Sequence, residues 1–143
     1  MARIKLTMPT SICGESLLRV RVADINYGHH LGNDAMVGLL HEARVLWLHQ
    51  LGYTEFNVEE KSLILSELIV NYLAEAFLGD DLKIEIATGE KTSSGFELYY
   101  RVTTIRNGVN LNIAIAKTGL VFFDYSSRKI SPMPEEFCKR FWS

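Results

Sequence analysis

The polar side chains best suited to chemistry lie within a short segment, between residues 24 and 34. They are Asp24, Asn26, His29, His30, Asn33 and Asp34. This segment directly precedes a stretch whose many apolar residues are typical of a helix. The unpaired amides at a helix start can hold an oxyanion, so a carbonyl group bound there would be polarised. A neighbouring carboxylate or imidazole could then attack that carbonyl or activate water. The alternative is that Asn33 and Asp34 only cap the helix, while the other side chains form a hydrogen-bonded turn.

The elements on either side of this segment must position it. Apolar residues alternate along Leu17–Asp24, and this period of two predicts a first strand. After the polar bend, Asn33 or Asp34 offers a cap for a helix that runs to about Leu51, and Gly52 is well placed to end it. The apolar residues of this helix cover far more than one stripe, which predicts that protein surrounds it on most sides.

After the helix the hydrophobic period changes to two. Strands are predicted over residues 62–73, 81–88, 96–106 and 109–125. Neighbouring strands should pair antiparallel, because their connections are short and Asn107-Gly108 is a favoured two-residue hairpin turn. Residues 134–142 could form one short helix. The order β-α-β-β-β-β predicts a single α+β domain over residues 1–143, with a long antiparallel sheet that curls around one central helix.

Composition narrows the partners and the location that we expect. The 143 residues include 15 basic and 17 acidic side chains, so the chain lacks the basic surplus that nucleic-acid binding requires. Cys13 and Cys138 lie far apart and form no metal-binding spacing. No segment is typical of a signal peptide or a membrane helix, so we expect a cytoplasmic protein that binds no membrane. The unpaired edges of the predicted sheet favour pairing with a second copy.

Two sequence motifs resemble those of a known family. The first is Asp24-Ile-Asn-Tyr-Gly-His-His-Leu-Gly-Asn-Asp-Ala, followed on the helix by Glu42-Ala-Arg. The second begins at Asn71 and reads Asn-Tyr-Leu-Ala-Glu-Ala-Phe-Leu-Gly-Asp-Asp-Leu. Both motifs, and the order of the elements, resemble the 4-hydroxybenzoyl-CoA thioesterase-like branch of the hotdog superfamily.

This resemblance implies a hotdog fold and a homodimer or homotetramer, with the dimer as the minimal active unit. It implies hydrolysis of an acyl thioester, acyl-CoA or acyl-ACP, to a free acid and a thiol. No metal or redox cofactor is implied, and coenzyme A enters only as part of the substrate. The pantetheine arm and the acyl chain are expected at the subunit interface, against the start of the hotdog helix.

The resemblance also implies roles for individual residues. By position, Asp24, His30 and Asn33 match the first aspartate, the histidine and the second asparagine of the family signature. The catalytic residues predicted on this basis are Asp24, Asn26, His30 and Glu42. The substrate-binding residues predicted are Tyr27, His29, Leu31, Gly32 and Asn33.

One departure from the family signature bears directly on the mechanism. Asn26 stands where many of these thioesterases carry a nucleophilic or basic aspartate, and an amide cannot take up a proton in that role. Three interpretations remain open. Asp24 could supply the carboxylate while Asn26 orients the carbonyl or water. Glu42 could supply it from the helix, as in another hotdog thioesterase branch. The chain could also bind acyl thioesters without hydrolysing them.

A second hotdog activity resembles the same residues. Asp24, Asn26 and His29, with Ala35 six positions later, are similar to the D-x-N-P-[LIV]-H-x5-A motif of the (R)-specific enoyl-CoA hydratases. The proline of that motif is missing here, and Gly28 replaces its aliphatic residue. Hydration of an enoyl-CoA is therefore kept as the alternative to thioester hydrolysis.

Overall fold

The structure is a computed structural model that describes residues 2–143. Its strands are β1 (Ile12–Arg19), β2 (Ser62–Tyr72), β3 (Asp81–Lys91), β4 (Gly95–Arg106), β5 (Val109–Asp124) and β6 (Lys129–Ile130). Its helices are α1 (Asn33–Gln50) and α2 (Glu135–Phe141), and Val22–Asp24 form a short 3₁₀ turn. No helix in this described range is both long and apolar enough to cross a membrane.

The strands form one antiparallel sheet in the order β1-β3-β4-β5-β2, and β6 pairs with the end of β5. β1 and β2 are therefore the outer strands along this order. The β4–β5 hairpin uses the predicted dipeptide, because Asn107 and Gly108 have φ angles of 53° and 76°. Left-handed φ angles at both central residues are what a type I′ turn requires. This arrangement confirms the predicted α+β architecture.

One face of α1 lies in the hydrophobic core. The residues of that face recur at the spacing of helical turns and are Met36, Leu39, Leu40, Ala43, Trp47 and Leu48. The opposite face is exposed, including Val45 at 41% and Leu46 at 36% of their surface. The prediction that protein surrounds the helix on most sides is therefore wrong for this chain by itself, although its core face packs against the sheet as expected.

The helix ends where the sequence predicts. Leu51 is the C-terminal cap, and Gly52 follows with a φ of 88°. The amide of Tyr53 donates to the Leu48 carbonyl at 2.8 Å, and the amide of Gly52 donates to the His49 carbonyl at 3.0 Å. These two bonds form a Schellman motif, which satisfies carbonyls that the last helical turn leaves free.

The first strand lies earlier than predicted. β1 covers Ile12–Arg19, whereas the alternation of apolar residues predicts Leu17–Asp24. The 3₁₀ turn interrupts the alternation because the Asp24 carboxylate accepts a hydrogen bond from the amide of Arg21 at 2.8 Å. A side chain that competes for backbone hydrogen bonds favours a turn over a continued strand.

The short helix α2 completes the core with aromatic residues. Phe137 is fully buried, and its ring lies 5.1 Å from that of Phe96 and 5.4 Å from that of Phe122, measured between ring centroids. The indole nitrogen of Trp142 donates to the carbonyl of Gly89 at 2.9 Å. These contacts attach the C-terminal segment to β3, β4 and β5.

Candidate active site

A half-open cleft of about 790 Å³ lies at the start of α1. Its walls come from the bend before α1, from the first turn of α1, and from the connection between β2 and β3. The lining residues are Asn26, Tyr27, His30, Leu31, Gly32, Asn33, Asp34, Met36, Tyr72, Leu73, Ala74, Glu75, Ala76 and Ile113. The polar bend singled out in the sequence therefore forms part of a cleft large enough for a small-molecule substrate.

Backbone hydrogen bonds hold the bend in a closed loop. The amide of Asn26 donates to the carbonyl of His30 at 3.0 Å, and the amide of Gly32 donates to the carbonyl of Asp24 at 2.9 Å. A further bond, from the amide of Leu31 to the carbonyl of Ala76 at 2.8 Å, ties the loop to the β2–β3 connection. The position of His30 relative to the helix start is thus set by main-chain contacts.

The start of α1 is open to the cleft. Gly32 is the N-terminal cap, and no side chain makes a capping hydrogen bond there, so the alternative that Asn33 or Asp34 caps the helix is wrong. The first amides of an α-helix have no acceptor within the helix, and the helix dipole adds partial positive charge to them. A Cβ atom on Gly32 would lie 2.7 Å from Oδ1 of Asp34, so a larger residue here would displace the Asp34 carboxylate.

The side-chain amide oxygen of Asn26 stabilises the bend. This atom, Oδ1, accepts a hydrogen bond from the amide of Gly28 at 2.9 Å. This Asx turn is typical of asparagine and aspartate. The Nδ2 group makes no hydrogen bond to the described residues, and Asn26 lines the cleft, so this side chain offers a donor to a bound molecule.

His30 places an imidazole between the loop and a carboxylate. Its Nδ1 lies 3.2 Å from the carbonyl oxygen of Leu31, and its Nε2 lies 4.0 Å from Oε1 of Glu75. Because a carbonyl only accepts, the Leu31 contact places a proton on Nδ1, so in the neutral imidazole Nε2 carries the lone pair. This tautomer can take up a proton at Nε2.

Tyr72 joins the end of β2 to the start of α1. Its hydroxyl donates to the carbonyl of Asn33 at 2.7 Å. Burial, and then the negative charge of Asp34, raise the pKa of Tyr72 above its usual value. The phenol therefore keeps its proton near neutral pH and holds one wall of the cleft in place.

Asp24 has a structural environment. Its side chain is 7% exposed, accepts hydrogen bonds from the Arg21 side chain at 3.2 and 3.3 Å, and does not line the cleft. Burial by itself raises the pKa of Asp24, but the hydrogen bonds and charge of Arg21 outweigh it and hold that pKa below its usual range. The carboxylate is therefore ionised and already paired.

The sequence of the chain places it in a family. The model of the thioesterase-like superfamily matches residues 20–141. The chain belongs to the thioesterase-like superfamily. Thioester hydrolysis is the activity that this membership supports. Among curated proteins, none matches this thioesterase-like chain in sequence.

Solved structures share the fold of this thioesterase-like chain at low sequence identity. A Pseudomonas aeruginosa protein superposes with a TM-score of 0.81 at 19% identity, over 91% of this chain and 98% of its own. A 1,4-dihydroxy-2-naphthoyl-CoA thioesterase from Synechocystis gives 0.76 at 20% identity, over 87% and 91% of the two chains. An aspartate-to-asparagine variant of 4-hydroxybenzoyl CoA thioesterase, in complex with 4-hydroxybenzoyl CoA, gives 0.79 at 14% identity, over 87% and 95%. These likenesses confirm the predicted hotdog fold.

The cleft brings together most of the residues that the sequence predicts for the thioesterase site. Those that line it are Asn26, Tyr27, His30, Leu31, Gly32 and Asn33. Tyr27 stands at the rim, fully exposed. The structure does not bring Asp24, His29 or Glu42 to the cleft: Asp24 is buried with Arg21, and the other two are exposed elsewhere. His29 occupies the left-handed region, with a φ of 66°, and serves the turn through its backbone.

Three polar residues of the cleft were not among the predicted site residues. Asp34 belongs to the first motif, and Tyr72 and Glu75 belong to the second, so the family motifs contained a signal for each. Sequence spacing could not show that the second motif folds back onto the first. Arg106 helps to hold it there, since its Nη2 donates to the Glu75 carbonyl at 3.2 Å and to Oδ2 of Asp80 at 2.7 Å.

Proposed function

We propose that this protein hydrolyses acyl thioesters of coenzyme A, with His30 as the general base and the first turn of α1 as the oxyanion site. The observation that carries this proposal is the cleft itself. It combines an uncapped helix start, an imidazole with a free Nε2 lone pair and an unpaired amide donor, in a chain of the thioesterase-like superfamily. The solved structures of similar fold that are named after acyl-CoA thioesterases support the same substrate class.

In the proposed reaction His30 acts first as a base and then as an acid, while the start of α1 binds the oxyanion. Nε2 of His30 takes a proton from water, and the water oxygen bonds to the thioester carbonyl carbon as the C=O electron pair moves onto oxygen. The resulting oxyanion accepts hydrogen bonds from the free amides of the first turn of α1. The C=O bond then re-forms, the C–S bond breaks, and the leaving thiolate takes the proton from His30. The products are the free acid and coenzyme A.

Two further side chains support this chemistry. The carboxylate of Glu75, 4.0 Å from Nε2, stabilises the imidazolium that forms on His30, although solvent weakens the effect because the Glu75 side chain is 62% exposed. Asn26 donates from Nδ2 to the thioester carbonyl or to the attacking water. An amide is sufficient for that role, which is compatible with an asparagine at the position of the second aspartate of the signature.

Assembly, location and the acyl carrier belong to this proposal. We propose a homodimer or homotetramer, because β2 is an outer strand that exposes the apolar side chain of Leu65, and the apolar Leu73 is exposed directly after it. A cytoplasmic location agrees with the two free cysteines, Cys13 and Cys138. An acyl carrier protein could present the same pantetheine arm as coenzyme A. The proposed reaction requires no metal or redox cofactor.

The proposal is tested by thiol release from butyryl-CoA, decanoyl-CoA and crotonyl-CoA. Hydrolysis releases a free thiol, whereas hydration removes the enoyl absorbance of crotonyl-CoA without a thiol. A ligand-induced rise in melting temperature without either reaction would instead indicate a binding protein.

The role of His30 is tested by His30→Gln, with the exposed His49→Gln on α1 as the matched control. We expect kcat to fall by about 100-fold or more in His30→Gln and to remain unchanged in His49→Gln, with both variants folded. The slope on the acidic side of the pH–rate profile should also disappear. Retention of kcat within about threefold in His30→Gln excludes His30 as the base.

A further inference from the structure

A hydrogen-bonded chain of polar side chains lies beneath the sheet-facing side of α1 and takes no part in the proposed reaction. Arg44 donates from Nε to Oε2 of Glu55 at 2.8 Å and from Nη1 to the hydroxyl of Tyr100 at 3.1 Å. That hydroxyl lies 2.8 Å from Oγ1 of Thr118. At the outer end, Nε2 of His41 lies 2.6 Å from Oε1 of Glu55.

Arg44 retains one donor group without an acceptor. The side chain is 7% exposed, yet its Nη2 hydrogen-bonds to none of the described residues and is not sealed from solvent. Burial by itself lowers the pKa of Arg44, but Tyr100 and Glu55 raise it overall, so the guanidinium remains charged. Hydrogen bonds to a charged donor are stronger than neutral ones, and a low local dielectric strengthens them further. An acceptor atom brought next to Nη2 would therefore be bound in exchange for solvent.

The space beside Arg44 is a pocket of about 330 Å³ between α1 and β2. We call it the distal pocket. Its apolar lining residues are Val37, Leu40, Leu63, Ile64, Leu65 and Leu68. Its polar lining residues are His41, Arg44, Glu55 and Thr118, which all belong to the hydrogen-bonded chain. The pocket therefore fits an apolar group that carries one polar atom at its end.

The distal pocket is lined by α1 and β2, the same two elements that border the candidate active site. On α1, Val37 is one turn beyond Asn33, and on β2, Leu68 is four residues from Tyr72. A register shift between Leu65 and Glu67 lets both Leu65 and Leu68 line the pocket. The helical rise from Asn33 to Leu40 is about 10 Å, and the Arg44 side chain points back toward the helix start. An acyl chain that leaves the cleft between α1 and β2 would reach Nη2 about 10 Å from its thioester.

We propose that the distal pocket binds the far end of the substrate's acyl chain and that Arg44 selects chains with a hydroxyl or keto oxygen at that end. This inference rests on the proposed thioesterase function. The charge of Arg44 is already balanced by Glu55, so a neutral oxygen is preferred to a carboxylate, which Glu55 would repel. A hydroxyl can also accept from Nη2 while donating to Glu55 or Thr118.

The test compares two substrates that differ only in the distal oxygen, ω-hydroxydecanoyl-CoA and decanoyl-CoA. We expect kcat/KM to be at least about tenfold higher for the hydroxylated chain, because only that chain supplies an acceptor for Nη2. Butyryl-CoA, whose acyl chain is too short to reach the pocket, reports the hydrolytic reaction separately. Hydrolysis of butyryl-CoA with equal kcat/KM for the two longer substrates overturns the pocket assignment and leaves the proposed function standing.

Two variants and one control test whether the preference for the hydroxylated chain arises in the distal pocket. Arg44→Met should reduce the ratio of the two kcat/KM values to about one. Val37→Phe narrows the pocket and should lower kcat/KM for both decanoyl substrates more than for butyryl-CoA, which keeps the assignment testable if Arg44→Met does not fold. The control is Val45→Phe, the same change on the exposed face of α1, and it should preserve every ratio. A preference that persists in folded Arg44→Met, the absence of a selective loss of the decanoyl substrates in folded Val37→Phe, or a changed ratio in the control contradicts the proposal.

Binding of the free acids decides the proposal even if no thioester is hydrolysed. Calorimetric titration with ω-hydroxydecanoate and decanoate should show at least about tenfold tighter binding of the hydroxylated acid by the wild-type protein, and no difference in Arg44→Met. Equal affinities in the wild-type protein overturn the proposal. Equal affinities are the result expected if a side chain from a second copy of the chain fills the distal pocket.

Discussion

Glu55→Gln tests how strongly the fold depends on the ion pair of Arg44. The substitution keeps the shape of the side chain and removes its charge, so the buried guanidinium loses the carboxylate 2.8 Å from its Nε. Removal of one partner from a buried pair costs about 3–5 kcal/mol, because the other charge stays buried. Since the Glu55 side chain is 27% exposed and water can enter the distal pocket, we expect a smaller loss, about 2–3 kcal/mol of unfolding free energy.

Urea unfolding at neutral pH measures this loss, and a thermal melt should show a decrease of about 5–10 °C. The matched control is Glu136→Gln, which breaks an exposed pair with Lys139 on α2, where the two side chains are 71% and 63% exposed. Such pairs contribute little, so the control should lose no more than about 0.5 kcal/mol.

The difference in unfolding free energy between wild type and Glu55→Gln should also depend on pH, which provides a second measurement. Burial alone raises the pKa of Glu55, but Arg44 and His41 outweigh it and bring that pKa below its usual value of 4.5. A carboxyl group whose pKa is lowered by folding stabilises the protein above its unfolded pKa, and this contribution declines as pH falls through the folded pKa. The gap between wild type and Glu55→Gln should therefore shrink below pH 4.5. A loss no larger than that of Glu136→Gln, or a gap that does not change with acid, refutes the reasoning.

Three further substitutions test other parts of the structure. Phe137→Ala empties a fully buried aromatic site and should lower the unfolding free energy by about 3–5 kcal/mol in urea, whereas a loss below about 1 kcal/mol would mean that α2 contributes little to the core. Asp24→Asn should lower kcat/KM for decanoyl-CoA by less than about fivefold, because the new amide oxygen still accepts from the Arg21 amide; a 100-fold loss would return Asp24 to the mechanism. Gly108→Ala should lower stability by about 1 kcal/mol in thermal melts from its φ of 76° alone, since no atom lies within 4 Å of the added Cβ; no measurable loss contradicts a strained turn.

The candidate site was predictable where a motif and a structural element coincide. The segment from Asn26 to Asn33 combines polar side chains with a helix start, and the structure places most of its predicted residues in one cleft. Asp24 is predicted because it matches the first aspartate of the family signature, and Glu42 because another hotdog branch carries its acid on the helix. Neither match shows which way the side chain points. The Asp24 carboxylate forms an ion pair with Arg21, and Glu42 lies on the exposed side of α1.

Sequence periodicity by itself determined the class of fold. The change from a broadly apolar stretch to a hydrophobic period of two separates α1 from β2 to β5, because side-chain direction in strands depends only on local geometry. Gly52 and Asn107-Gly108 marked the helix end and the hairpin for the same reason, since their left-handed φ angles are local requirements.

Only the tertiary structure decided which distant residues meet. Glu75 comes within 4.0 Å of His30, and Glu55 reaches Arg44, because the connections around β2 return the chain to α1. Such contacts depend on strand order and on the packing of the helix against the sheet, neither of which is encoded in the spacing of any one segment. The same packing leaves Nη2 of Arg44 without a protein acceptor beside the distal pocket, which is a property of the folded chain alone.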